Sequence, residues 1–118
     1  MSALVPSQRT SLRLAIGITC AAILLSLSTR GRVMLHTMGP LHLWYHLALF
    51  ILLGILAMRS SAKPAVRIAL LFCLTMLGLG IESIEAVRYA IHIEWYDVRT
   101  DIGGIAIGGL IGWLLSKL

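Results

Sequence analysis

Carboxylate side chains are missing from most of this chain. Its 118 residues include five acidic residues, and all five lie between Glu82 and Asp101. Charged residues of both signs make up 13% of the sequence, against about 25% in soluble domains. So low a charge content, combined with 58% hydrophobic residues, excludes an ordinary soluble domain and predicts an integral membrane protein.

Cysteine and recognisable catalytic motifs are also scarce. Cys20 and Cys73 lie in apolar segments and form no CxxC pair, so we expect them to pack as small apolar side chains. Carboxylates near imidazoles could bind a divalent metal, but the histidines and carboxylates match no closed zinc-site spacing, so we expect no metal and no other cofactor. No nucleophile elbow, phosphate loop or metalloprotease helix is present. Catalytic residues cannot be assigned, and these absences argue against an enzyme without excluding one.

Four apolar segments predict an all-α, integral membrane four-helix bundle that forms a single domain over residues 1–118. Each segment is close to the length that crosses the ~30 Å hydrocarbon core of a bilayer. The basic N-terminus resembles a signal peptide, but no small-residue cleavage motif follows it, so we expect an uncleaved first helix. The predicted helices cover about residues 12–28, 41–58, 65–89 and 100–116.

The basic residues predict the orientation of the bundle. The net charge is +5, but no interleaved basic and aromatic stripe indicates nucleic-acid binding. Six Lys and Arg residues fall on one side of the predicted helices, namely Arg9, Arg13, Arg59, Lys63, Arg67 and Lys117. Four fall on the other side, namely Arg30, Arg32, Arg88 and Arg99. The positive-inside rule then predicts both termini in the cytoplasm.

Glycines are concentrated in the fourth predicted helix. Gly104, Gly108 and Gly112 recur every four residues and so share one face. Small residues at this spacing let two helices approach closely within lipid. We expect this face to pack inside the bundle, and a contact with a second copy of the chain is the alternative.

The polar residues are predicted to meet at the outer end of the bundle. The start of the second helix and the end of the third lie on that side, as does the start of the fourth. Charges within a membrane segment cost about 2.5–3.5 kcal/mol on insertion scales, so we expect them to cluster. The predicted polar pocket consists of His46, Glu82, Glu85, Asp97 and Asp101, with Arg88 and Arg99 as pairing candidates.

Several polar residues nearby have a simpler interpretation. His42 and Glu94 are expected to be interfacial and solvated. Trp44, Tyr45, Trp95 and Tyr96 are typical of an aromatic belt at the headgroup level. Salt bridges that join the helices are the structural alternative to a functional pocket.

Three short elements resemble the VanZ-like family of small bacterial membrane proteins. They are HLALFILLG at 46–54, ESIE at 82–85 and EWYDVRTDIGGIAIG at 94–108. The resemblance implies a multi-pass protein of the bacterial inner membrane, in a family whose namesake is associated with low-level teicoplanin resistance. Departures from the family pattern are His42 and Leu43 in place of Asp-Lys, Glu85 in place of glutamine and Asp101 in place of asparagine.

The leading functional hypothesis is therefore an outward-facing pocket for envelope lipids, lipid-linked cell-wall precursors or glycopeptide antibiotics. A small proton-coupled transporter is one alternative, although the first helix lacks the carboxylate on which small multidrug exporters rely. A haem-binding membrane anchor is another. It needs two facing imidazoles at one depth, and of the four histidines, His36 included, only His46 with His92 could approach that arrangement.

Overall fold

The computed structural model of this chain describes residues 6–28 and 39–118, which form four α-helices. The prediction of an all-α fold is confirmed for these residues, which contain no strand. Arg30, Arg32 and His36 lie outside the described residues. The helices are α1 (Pro6–Leu27), α2 (Leu41–Arg59), α3 (Pro64–Arg88) and α4 (Trp95–Leu115).

All four helices are long and apolar enough to cross a membrane. They contain 19 to 25 residues and reach mean hydropathies of 1.3 to 2.0 over their most apolar 18 residues. A rise of 1.5 Å per residue gives lengths of about 28–38 Å. Large apolar side chains also point outward, including Leu24, Ile68 and Phe72, each more than 60% exposed. This arrangement is the one expected of a multi-pass membrane protein.

Two helices begin earlier than the sequence predicted. α1 begins at Pro6 instead of about residue 12, and α4 begins at Trp95 instead of about residue 100. Proline suits a first helical position because its missing N–H would have no partner there. Glu94 precedes α4 in an extended conformation. The predicted starts followed the apolar runs, whereas the helices continue past them, and Asp97 therefore lies inside α4.

The core is built around the contact between α2 and α4, which is the most extensive in the bundle. Phe50, Leu53 and Ile105 form its buried centre. A Cβ atom at Gly108 would overlap the carbonyl oxygen of Ile51 on α2. The glycine therefore lets the two backbones touch, as small residues do in membrane bundles.

The neighbouring glycines of α4 also face α2. A Cβ at Gly104 would lie 2.9 Å from Cβ of Phe50, and one at Gly112 would lie 2.6 Å from Cβ of Met58. The glycine face of α4 is thus occupied within the chain. A second copy would have to use a different face of this helix.

A short connection of residues 89–94 joins α3 to α4. Ala90 has a left-handed φ of 53°, and the N–H of Ile91 donates to the carbonyl of Ala86 at 3.0 Å. This bond is the one that defines a Schellman cap. The Tyr89 hydroxyl also donates to the last carbonyls of α1 at 3.3 Å. The end of α3 and the start of α4 are thereby held at the same end of the bundle.

Candidate functional site

Ionisable side chains from three helices meet at one end of the bundle. The first two turns of α2 supply histidines, the last two turns of α3 supply glutamates, and the start of α4 supplies aspartates. At 1.5 Å per residue, His46, Glu82 and Asp101 each lie about 8–9 Å from the end of their helix. We define the polar cluster as His42, His46, Glu82, Glu85, Glu94, Asp97 and Asp101.

The five residues of the predicted pocket all lie in this cluster and are all buried. Glu82, Asp97 and Asp101 are each 2% exposed, and His46 and Glu85 are 8% exposed. Burying ionisable groups is unfavourable unless they are hydrogen-bonded, paired or bound to a metal. The contacts made by each group therefore indicate what the cluster can do.

A buried hydrogen bond joins α2 to α4 at the centre of the cluster. Nδ1 of His46 lies 2.7 Å from Oδ1 of Asp101. A carboxylate only accepts hydrogen bonds, so Nδ1–H is the donor, and in a neutral imidazole Nε2 is then the acceptor nitrogen. Gly78 of α3 packs against Asp101, and a Cβ there would lie 3.0 Å from Oδ2. Asp101 of α4 thus orients the imidazole, and α3 packs against Asp101.

His42 belongs to the same cluster, although the sequence predicted it to be solvated. Its Nε2 lies 3.3 Å from Nε2 of His46, and its Nδ1 lies 3.7 Å from Oδ1 of Asp97. The two imidazole rings meet edge to face, with centroids 4.7 Å apart. His42 precedes His46 by four residues. This spacing in the sequence indicates that both rings lie on one face of α2.

Two carboxylate oxygens in the cluster have no hydrogen-bond partner among the described residues. They are Oε1 of Glu82 and Oδ2 of Asp97. Buried polar atoms in native proteins almost always have a partner, and an unpaired one costs about 1–3 kcal/mol. Oδ2 of Asp97 lies 3.8 Å from Nε2 of His46. These atoms are the places where a ligand could be held.

Two overlapping sets of side chains have the spacing of metal ligands. The first is His42, His46 and Asp97, and the second is Glu82, Glu94 and Asp97. Within each set, one donor atom from every residue lies within 4.8 Å of the others. Glu94 is partly buried and was expected in solvent, but the structure places it beside Asp97.

The arginines proposed as pairing partners lie outside the cluster. Arg88 and Arg99 are both exposed. The Arg88 guanidinium lies over the ring of Tyr89, 5.6 Å from its centroid. His92 is exposed as well, so the structure does not bring it to the buried His46.

Aromatic side chains surround the same end of the bundle. Trp44, Trp95 and Tyr96 are between 59% and 74% exposed. Tyr45 is partly buried and contacts His46 edge to face at 5.7 Å. Exposed Trp and Tyr side chains at a helix end are typical of the membrane–water interface.

A cavity of about 320 Å³ lies elsewhere, between α1, α2 and α3. Its lining includes Leu12 and Ile16 of α1, Ala57 of α2 and Leu70 of α3, together with both cysteines. The side chains that line the cavity are mostly apolar. Most of them lie away from the helix ends that carry the polar cluster, so the cavity is separate from that cluster.

No match to this chain was found among protein-family models, curated proteins or solved structures. The resemblance to VanZ-like proteins thus depends on the three sequence elements alone and stays a prediction. Those elements carry most of the polar cluster. His46 belongs to the first, Glu82 and Glu85 to the second, and Glu94, Asp97 and Asp101 to the third.

Proposed function

We propose that this chain is a VanZ-like, multi-pass protein of the bacterial inner membrane whose polar cluster binds the headgroup of an envelope lipid or a lipid-linked cell-wall precursor. The observation that carries the proposal is the convergence of buried ionisable groups from three helices at one depth. Isolated charges in membrane helices are rare, and clustered ones commonly mark a site. The six-to-four distribution of Lys and Arg supports an outward-facing cluster with both termini in the cytoplasm.

The depth of the cluster suits a lipid headgroup. His46 and Asp101 lie about 8–9 Å inside their helix ends, and Trp44, Trp95 and Tyr96 are exposed around that end. Aromatic residues of this kind mark the headgroup region. A lipid in the adjacent leaflet would thus present its polar group at the level of the cluster.

The chemistry of the cluster favours a headgroup that donates hydrogen bonds. Oε1 of Glu82 and Oδ2 of Asp97 are acceptors without a partner among the described residues. Amines and sugar hydroxyls, which lipids and wall precursors carry, would satisfy them. A cluster that served only to join the helices would be expected to satisfy its own acceptors.

Lipid retention tests this proposal. The full chain is purified from bacterial membranes in mild detergent, and its bound lipids are identified by native mass spectrometry. We expect Glu82→Gln and Asp101→Asn to lose most of the lipid retained by the wild type, because each changes an acceptor in the cluster. His92→Ala, an exposed histidine at the same end, is the matched control and should retain it.

Equal lipid retention in all four proteins would refute a headgroup site. A parallel measurement in cells is the teicoplanin sensitivity of a host that expresses each variant at the same level. We expect the wild type and His92→Ala to lower sensitivity and the two cluster variants to have no effect.

A further inference from the structure

We infer that the polar cluster binds one divalent transition-metal ion, with His42, His46 and Asp97 as its ligands and zinc as the best chemical match. Each of the three residues offers a nitrogen or oxygen within 4.8 Å of the other two. Imidazole and carboxylate together suit zinc and iron. The inference goes beyond lipid binding, and it holds whether or not a lipid occupies the site. It also departs from our expectation of no metal, which considered only sequence spacing.

The two histidines already have the separation of zinc ligands. Their Nε2 atoms lie 3.3 Å apart, and bond lengths of about 2.0–2.1 Å in a tetrahedral site place ligand atoms about 3.4 Å apart. His42 and His46 are one turn apart on α2. Histidines at i and i+4 of one helix are the pair that metalloprotease helices use to bind zinc.

Asp101 provides the support that a metal-binding imidazole requires. Its carboxylate accepts from Nδ1 of His46 at 2.7 Å, which leaves Nε2 as the second ring nitrogen, 3.3 Å from Nε2 of His42 and 3.8 Å from Oδ2 of Asp97. Histidines that bind metals almost always donate their other N–H to a carboxylate or carbonyl. Asp101 is therefore a positioning residue and not itself a ligand.

The unpartnered carboxylate oxygens are a second, independent indication. Asp97 is 2% exposed, and its Oδ2 has no hydrogen-bond partner among the described residues. This atom lies 3.8 Å from Nε2 of His46, so it needs to move by only about 0.4 Å to reach the ligand spacing of a tetrahedral ion. A cation at this point would satisfy an oxygen that is otherwise buried without a partner.

Glu82 is a further carboxylate close to Asp97. Glu82 belongs to the second set of donors, which shares Asp97 with the first, and its Oε1 has no hydrogen-bond partner among the described residues. Three protein ligands leave one position of a tetrahedral zinc ion for water or a ligand. Glu82 would accept a hydrogen bond from a water at that position.

Metal content tests the inference directly. The full chain is purified with a tag that lacks histidines, in detergent and without chelators, and its metals are measured by plasma mass spectrometry. We expect about one divalent ion per chain. After chelator treatment, added Co²⁺ should restore one ion and give the strong visible absorption of a tetrahedral site. Wild-type protein that binds none of Zn²⁺, Mn²⁺ or Co²⁺ would overturn the inference.

Variants assign the ligands. We expect His42→Ala and Asp97→Asn to lose the ion, and Asp101→Asn to bind it about 10–100-fold more weakly. His92→Ala, which changes an exposed histidine, is the control and should bind the metal as the wild type does. Unchanged metal binding in the first two variants would overturn the assignment. If these variants do not elute as folded protein, the ligands are identified by X-ray absorption of zinc bound to the wild type. Imidazole ligands have a distinct scattering signature, and a spectrum without that signature would refute the site.

The result is separable from the lipid proposal. Metal is measured in delipidated protein, so loss of lipid binding leaves the expected metal content unchanged. Protein that retains lipid but binds no metal refutes the metal site alone.

Discussion

Replacing Gly108 with alanine perturbs the point at which α2 and α4 come closest. A Cβ at Gly108 would overlap the carbonyl oxygen of Ile51 and would lie 2.9 Å from Cα of Ile51. Ordinary van der Waals contacts of a Cβ atom begin at 3.4 Å. The two backbones must therefore separate by at least 0.5 Å, the difference between those distances. No side-chain rotation relieves the overlap, because the obstacle is backbone.

The expected loss of stability follows from two opposing effects. Overpacking a well-packed contact costs about 1–3 kcal/mol, and a backbone obstacle favours the upper end of that range. Alanine in a helix interior is more stabilising than glycine by about 0.5–1 kcal/mol, which offsets part of that cost. We expect Gly108→Ala to lower the free energy of unfolding by about 2 kcal/mol.

Gly103→Ala is the matched control, because a Cβ at Gly103 meets nothing within 4 Å. It should be neutral or stabilising by up to about 1 kcal/mol. Both variants are measured in detergent by denaturant titration, with helix content followed by circular dichroism. Equal stability of Gly108→Ala and Gly103→Ala would refute the close contact between α2 and α4.

Two further substitutions test the cap of α3 and the support of the cluster. Ala90 has a φ of 53°, and this left-handed conformation costs a non-glycine residue about 1–2 kcal/mol. Ala90→Gly should therefore raise the free energy of unfolding by about 1 kcal/mol, measured by the same denaturant titration. A fall in stability would contradict the cap. Gly78→Ala would bring a Cβ within 3.0 Å of Oδ2 of Asp101, whereas one at Gly80 meets nothing within 4 Å. We expect Gly78→Ala to weaken the buried hydrogen bond and cost about 1–3 kcal/mol. Gly80→Ala should be neutral or stabilising by up to about 1 kcal/mol, and equal stability of the two variants would exclude this support.

Much of the fold was predictable because lipid imposes a simple constraint. Every backbone polar group in the hydrocarbon must be satisfied internally, so four apolar runs predict four helices. The predicted bounds of α2 and α3 agree with the structure to within one residue. The starts of α1 and α4 were predicted late, because these helices continue beyond the apolar runs into more polar sequence.

The composition of the polar cluster was less predictable than its location. Alternating helix directions placed Glu82, Glu85, Asp97 and Asp101 at one end of the bundle. Which side chains make contact depends on the rotation and register of α2 against α4. The periodicity of the glycines indicates which face of α4 is packed, but it does not reveal which residues of α2 that face contacts. His42 was therefore assigned to solvent.

The register of α2 against α4 is set along one continuous face of each helix. On α4, Asp101, Gly104 and Gly108 lie at i, i+3 and i+7, and on α2 His46 and Phe50 lie at i and i+4. The Gly104 position contacts Phe50 directly. The polar cluster is thus the last turn of the same interface that buries the core. Because a packed interface moves as a unit, separation of the helices at Gly108 should also lengthen the bond between His46 and Asp101, two turns away.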